Sequence, residues 1–390
     1  MTSATTRIAL QNQTTSSNVY GYISGYAIDN GNDLFLLQSD GKTPYYPSSP
    51  NTTGSPLEKD CAIALGAPGN TVTVTVPHLA GSRIWFSVDN TLTFLLNPAN
   101  GPTPVGLVEP AVTNSSDPNI NTSWDFCEFT YNSSQIFVNI SYVDFVSLPI
   151  SLTLTDTSNN TQHVAGLPPN GLDTVCSGLT AQQAADNAGW SSLVVKSPNG
   201  SNLRALSPTQ GITINNNLFS GYYDSYVNQV WNKYISQPLS IDTQASFGVV
   251  SGQVDPNTGL MGFSGSATYG KPSASDIFSC STGPFINNGN IEQGAITARF
   301  SAAFNRSTLL TNETQPSGSP SSYYQISPTN HYARIVHAAN IGGVGYAFPY
   351  DDVTPDGGDN QSGSVSSGNP QLLTVAVGGG NASAGLTTQK

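Results

Sequence analysis

Residues 126–145 read FCEFTYNSSQIFVNISYVDF, and this stretch decides how the rest of the chain is read. Two runs of aromatic and β-branched residues flank the polar Asn-Ser-Ser-Gln at 132–135, the pattern of a β-hairpin. Such a turn pairs Tyr131 with Ile136, Thr130 with Phe137 and Glu128 with Asn139. Alternation then predicts one face carrying Glu128, Thr130, Phe137, Asn139 and Ser141. The opposite face, with Cys127, Phe129, Tyr131, Ile136, Val138 and Ile140, is apolar enough to be core. Asp144 does not follow the alternation. Counting by twos from Ser141 reaches Val143, so a bulge or bend near Tyr142 is needed to bring Asp144 to the Glu128 face.

Outward from the hairpin the pattern stays β. TVTVTV (Thr71–Val76), RIWFSV (Arg83–Val88), LTFLL (Leu92–Leu96), and PISLTLT (Pro149–Thr155) are short runs broken by Pro, Gly or Asn, the spacing of a sandwich or barrel. The character changes after LPPNG at Leu167–Gly171. Leu179–Trp190, Leu218–Tyr234 and Asn290–Leu309 read as helices, and FGVVSGQV with LMGFSGSATY reads as a hairpin. From His331 the pattern returns to β through HYARIVHAA, GYAFPYDDVTPDGG and QLLTVAVGG. The fold class is therefore mainly β with α+β character. Residues 1–166 and 331–390 are expected to form one discontinuous β domain, with 167–330 inserted as a mixed α/β domain and the two chain ends sharing one sheet system.

Composition narrows the partners. Of 390 residues only 9% are charged, with 12 basic against 24 acidic and a formal net charge of −12. No basic stripe is present, so nucleic acid is not an expected partner, whereas a neutral polysaccharide is indifferent to this charge. No apolar run approaches the roughly 20 residues of a transmembrane helix. The start, MTSATTRIALQNQ, has no apolar h-region, so a secretion signal is expected to be removed or never present. Twelve Asn-X-Ser/Thr sequons, an even four cysteines and only six lysines favour a secreted glycoprotein, expected to be a monomer. Four cysteines allow three pairings; the intradomain set Cys61–Cys127 and Cys176–Cys280 is preferred, with free thiols as an alternative. No cofactor is expected, and no Cys/His spacing suggests a metal site.

The chain contains five glutamates, and one of them, Glu128, interrupts an aromatic strand. Hydrolysis of a glycosidic bond takes two carboxyl groups, one to protonate the leaving oxygen and one to activate water or attack directly. The predicted Glu128 face offers an acid, hydrogen-bonding side chains and an aromatic plate, which suits a sugar chain. The plainer reading of a lone strand glutamate is a solvated edge residue. Asp351 and Asp352 likewise have a plainer reading as turn formers before Val-Thr-Pro, and Glu109, before a proline, reads as structural. The four histidines, His78, His163, His331 and His337, share no short spacing with Cys or Asp, and His331 and His337, flanking a β run, read as packing or hydrogen-bonding residues.

At these residues the chain resembles the β-1,3-glucanases of glycoside hydrolase family 64, of fungal type, with a thaumatin-like barrel. The resemblance rests on SRIWFSVDNTLTFLLNP, LVEPAVTNSSDPN, WDFCEFTYNSSQIFVNISYVDFVSLPISL, GLDTVCSGL, DTQASFGVVSGQV and GYAFPYDDVTPDGG, spread over residues 80–375. It implies a thaumatin-like β domain joined to an α/β domain across a wide cleft. It also implies inverting endo-hydrolysis of long β-1,3-glucan chains to short oligosaccharides. Carried over residue by residue, Glu128 matches the general acid and Asp144 the general base. Thr130, Asn132, Phe137, Asn139, Ser141, Asp351 and Asp352 match sugar-contacting positions. Because Asn132 and Asn139 head sequons on or beside that surface, both are expected to be unmodified. A non-catalytic β-glucan-binding protein using the same surface is the competing expectation.

Overall fold

The computed structural model describes residues 1–101, 104–264 and 267–379; the sequon at Asn381 lies outside them. The hairpin forms in the register that its turn dictates, with Tyr131 opposite Ile136, Thr130 opposite Phe137 and Glu128 opposite Asn139. Its dry face is buried throughout, from Cys127 and Tyr131 to Val138 and Ile140. The strand Ser123–Tyr131 runs in the middle of an eight-stranded sheet. Ile136–Ile140 and then Ser364–Ser367 lie to one side, and Leu79–Val88, Val19–Ala27 and Asp33–Leu37 to the other.

A five-stranded sheet packs against it. In order across the sheet its strands are Thr161–Val164, Ile150–Asp156, Pro370–Val377, Thr5–Asn12 and Thr71–Pro77. Thr5–Asn12 and Pro370–Val377 meet here as parallel neighbours, with Ile8 opposite Leu373 and Asn12 opposite Val377. Ile8, Leu10, Val74, Leu152, Leu373 and Val375 face inward and are buried. Gly21 marks how closely the sheets approach: a Cβ there would stand 2.9 Å from the Leu10 side chain. The removal of this much apolar surface from water is the main source of stability.

Helices dominate the region after Leu167, although their limits differ from expectation. The first runs Gly171–Asp186 and ends at Asn187 in the left-handed conformation. The second covers Asp224–Ser236, beginning later than expected because Phe219 and Gly221 both take positive φ and break the pattern. The third, Ile291–Asn305, buries Ile296, Phe300 and Phe304. Phe300 sits in an aromatic cluster, 5.0 Å from Phe304 and 5.4 Å from Tyr269 between ring centroids. The expected hairpin forms between Val249–Val254 and Met261–Phe263.

Two segments expected as strands are not. HYARIVHAA is a helix, His331–Ala339, capped by the Asn330 side chain accepting from the Ala333 N–H at 3.0 Å. Its buried residues include Tyr332 and Val336, and Ala333 and His337, two pairs at helical spacing. GYAFPYDDVTPDGG is a run of turns whose one ladder contact is a bridge between Tyr346 and Ser141. Side chains replace the ladder there: Asp351 accepts from the Ala347 N–H, and Arg306 donates to the carbonyls of Asp351 and Val353. LTFLL is also largely irregular, its strand beginning only at Leu95, because Leu92 and Thr93 donate their N–H groups to the side chains of Tyr22 and Asn119.

Candidate active site

The wet face of the hairpin changes character along its length. Trp124 and Phe126 share the side of the strand that bears Glu128, yet both are buried, whereas Glu128 and Thr130 are partly exposed. Glu128 thus stands where a covered aromatic layer gives way to open surface. A cavity of about 500 Å³ begins there, lined by Glu128, Thr130, Phe137 and Asn139 of the hairpin together with Tyr26, Arg83 and Glu109. Phe137 is 39% exposed, a large flat ring presented to solvent on a rigid strand.

Arg83 is the direct cross-strand neighbour of Glu128. Its guanidinium lies over the rings of Phe126 at 4.4 Å and Trp85 at 5.3 Å, which fixes its plane. From that position it pairs closely with Glu109 through Nη1, while Nη2 stands 3.4 Å from Glu128 Oε1. Burial pushes the Glu109 carboxyl above the usual carboxylate range; Arg83 pulls it back, and the charges of Glu128 and Asp144 push it up further. Glu128 and Asp144 are thus each within electrostatic reach of Glu109.

Asp144 is not among the residues lining that cavity and stands on a bend. The strand ends at Ile140 and the chain bends at Val143–Asp144 before a short strand, Phe145–Val146. The half-buried carboxylate is held by Gln210, whose Nε2 donates to Oδ1 at 2.6 Å. The Ser207 N–H donates to the Asp144 carbonyl at 2.9 Å, and the Ser207 side chain caps the helix Pro208–Ile214 that carries Gln210. Beneath the site, Asp125 is buried and accepts from the N–H groups of Phe126, Ser147 and Leu148. Burial nevertheless pushes its carboxyl up to about 8.

Other expected contacts fall elsewhere. Asn132 is occupied with the hairpin turn, its Oδ1 accepting from the N–H groups of Ser134 and Gln135. Ser141 is only 5% exposed, because the strand end is covered by the Tyr346 bridge. Asp351 is fully buried in an ion-pair cluster, 3.1 Å from Arg306 Nη2 and 2.9 Å from His337 Nε2, and offers no surface to a ligand. Asp352 is exposed, accepts from the Tyr346 hydroxyl at 2.9 Å, and lines a different cavity with Arg299, Gln244 and Tyr350. Asn139 is buried to 9% exposure, which leaves little room for a glycan on its amide. All four cysteines are buried free thiols, correcting the expected disulfides. Burial raises the thiols of Cys61 and Cys280 to about 12 and that of Cys176 to about 11, so they stay protonated.

Reading the sequence did not single out Arg83 or gather Glu109 to the site. Arg83 heads RIWFSV, and only the register of that strand against Ser123–Tyr131 shows that it faces Glu128. Glu109 follows the strand Gly106–Val108, which pairs with Leu95–Asn97 and through it with the sequence-distant Ser55–Pro56.

An open trough on a rigid sheet, holding several carboxyl groups, neutral hydrogen-bonding side chains and an exposed aromatic ring, has the make-up of a carbohydrate-processing site. The sequence model of the β-1,3-glucanases matches residues 4–377, and the chain belongs to that family, glycoside hydrolase family 64. It is 34% identical over 315 residues to a glucan endo-1,3-β-glucosidase of Cellulosimicrobium cellulans, and 33% identical over 314 residues to one of an Arthrobacter species. Each alignment takes in 78% of this chain and 53% of the relative, so the match spans about half the length of those enzymes. Among solved structures, a laminaripentaose-producing β-1,3-glucanase in complex with laminaritetraose superposes with a TM-score of 0.84 at 30% identity, covering 96% of this chain and 98% of the other. A β-1,3-glucanase domain of Clostridium beijerinckii shares the fold at a TM-score of 0.72 and 21% identity, covering the same shares. The named organisms are bacterial, and the fungal character expected from sequence finds no support among them.

Proposed function

We propose that the protein is a secreted endo-β-1,3-glucanase that hydrolyses long glucan chains with inversion, Glu128 acting as general acid and Asp144 as general base. The observation that carries this reading is the placement of Glu128 at the edge of the cavity, on one face with Thr130, Phe137 and Asn139. Phe137 supplies a plate for the apolar face of a glucose ring, and Thr130 and Asn139 supply partners for its hydroxyls. Glu128 gives its proton to the glycosidic oxygen as the bond from that oxygen to the anomeric carbon breaks. Asp144, oriented by Gln210, takes a proton from the water whose oxygen attacks the same carbon from the opposite side. The β-linked sugar then emerges as the α-anomer. The names of the relatives support the substrate, and one similar solved structure holds laminaritetraose. Among the described residues no helix is long and apolar enough to cross a membrane.

The test is hydrolysis of linear β-1,3-glucan, followed by reducing-end release and by NMR of the first-formed anomer. Glu128→Gln and Asp144→Asn should each lower kcat by at least about a hundredfold, the usual worth of a positioned acid or base. Substantial activity in either variant removes that residue from its role. A first-formed β-anomer would mean retention and overturn the assignment of Asp144 as base. Glucan binding by the wild-type protein without turnover would make it a binding protein instead.

A further inference from the structure

We propose that Glu109 is a positioning residue for this reaction: by holding the Arg83 guanidinium, it prevents that cation from pairing fully with Glu128 and leaves Glu128 able to carry the proton it donates. The proposal rests on the reading of Glu128 as the acid. One guanidinium serves two carboxyl groups, and it serves them unequally. Arg83 makes a close contact with Glu109 through Nη1, whereas the approach of Nη2 to Glu128 is 3.4 Å, at the long limit of a hydrogen bond. Stacking on Phe126 and Trp85 keeps the guanidinium between the two carboxyl groups, and the close contact with Glu109 draws it to that side.

An arginine placed directly across from an acid catalyst ought to be harmful. A cation within about 4–6 Å favours the charged form of a carboxyl group, and a carboxylate has no proton to give. Glu109 offsets that charge. Its own side chain is 34% exposed and that of Arg83 is 27% exposed, so the pair stands partly shielded from water, where such compensation is felt more strongly than on an open surface. The other polar side chains beside Glu128 include Asn139 from the paired strand and Tyr26 of the cavity lining, and Asp144 acts on Glu109. Among these groups Arg83 is the one cation, so how its charge is shared between Glu109 and Glu128 is what neutralising Glu109 or Arg83 tests.

The experiment is the pH dependence of kcat/KM on linear β-1,3-glucan for the wild-type protein, Glu109→Gln, Glu109→Asp and Arg83→Gln. Melting temperatures identify the variants that fold. Glu109→Gln releases the guanidinium to Glu128, so the alkaline limb should move to lower pH by on the order of one unit. Arg83→Gln removes the cation and leaves two carboxyl groups facing each other, so the same limb should move to higher pH. Glu109→Asp, which keeps the charge, should return the limb toward the wild-type position. Opposite shifts from the two neutralising variants are a result that mere loss of structure does not give. An alkaline limb unmoved in folded Glu109→Gln, or one that moves the same way in both, overturns the proposal; should Glu109→Gln fail to fold, an unmoved or lowered limb in Arg83→Gln does so alone. Glu128→Gln separates the two ideas. If that variant still hydrolyses glucan, the reading of the acid has failed; if it is inactive while the limbs do not move, only the inference about Glu109 has failed.

Discussion

The carboxylate of Asp351 is enclosed by Arg306, His337 and the Ala347 N–H, with no surface open to solvent. Burial alone would raise its proton affinity, but His337 and Arg306 more than offset this and hold the group below the usual carboxylate range. A carboxyl group whose folded value is depressed adds stability above its unfolded value and loses it as pH falls through the folded one. Asp351→Asn should therefore lower stability at neutral pH by about 3–5 kcal/mol, because it leaves the Arg306 charge buried with one partner fewer. That deficit should shrink as pH falls below about 4, where the aspartate of the unfolded wild-type chain gains its proton while the folded one still holds its charge. Thermal melts of both proteins across that range check the amount and the sign. The neighbouring Asp352 faces water, so the two adjacent aspartates of one motif have separate tasks. In the sequence they are indistinguishable, because what separates them is Arg306, and the partnership of residues 306 and 351 is tertiary.

The hairpin was legible because all its information is local: a four-residue polar turn, strict alternation and one buried face. Register followed from the turn, and the Glu128 face followed from register. The helix His331–Ala339 was hidden for a physical reason. Its apolar residues at 333 and 335 also satisfy a period of two, and the period of four shows only when Tyr332 and Val336 are set beside Ala333 and His337. The deciding local signal was Asn330, which caps the first turn and also donates to Asn305 Oδ1 at 2.8 Å. Asn330→Ala should cost about 1–3 kcal/mol, combining a lost cap with an unsatisfied buried acceptor, as read from denaturant melts. A cost of a few tenths or less would mean that the helix is held by its packing alone, with Ile335 against Gly178 on the helix Gly171–Asp186.

Across the whole molecule, the last strand Pro370–Val377 occupies the centre of the five-stranded sheet, between Thr5–Asn12 and Ile150–Asp156. Removing residues 370–390 should therefore abolish cooperative unfolding, since it withdraws buried Leu373, Val375 and Val377 and leaves two strands without their shared neighbour. A truncated chain that melts in a single sharp transition would contradict this. The Glu128 hairpin depends on the same end of the chain, because Ser364–Ser367 is the strand paired with Ile136–Ile140. The order of synthesis gives this arrangement a temporal meaning. A ribosome delivers Glu128 long before Ser364–Ser367, the outer neighbour of its hairpin, and contacts this distant in sequence form slowly. Until Ser364–Ser367 has been made, the hairpin that carries Glu128 lacks its outer neighbour, so this face of the sheet is completed late in synthesis.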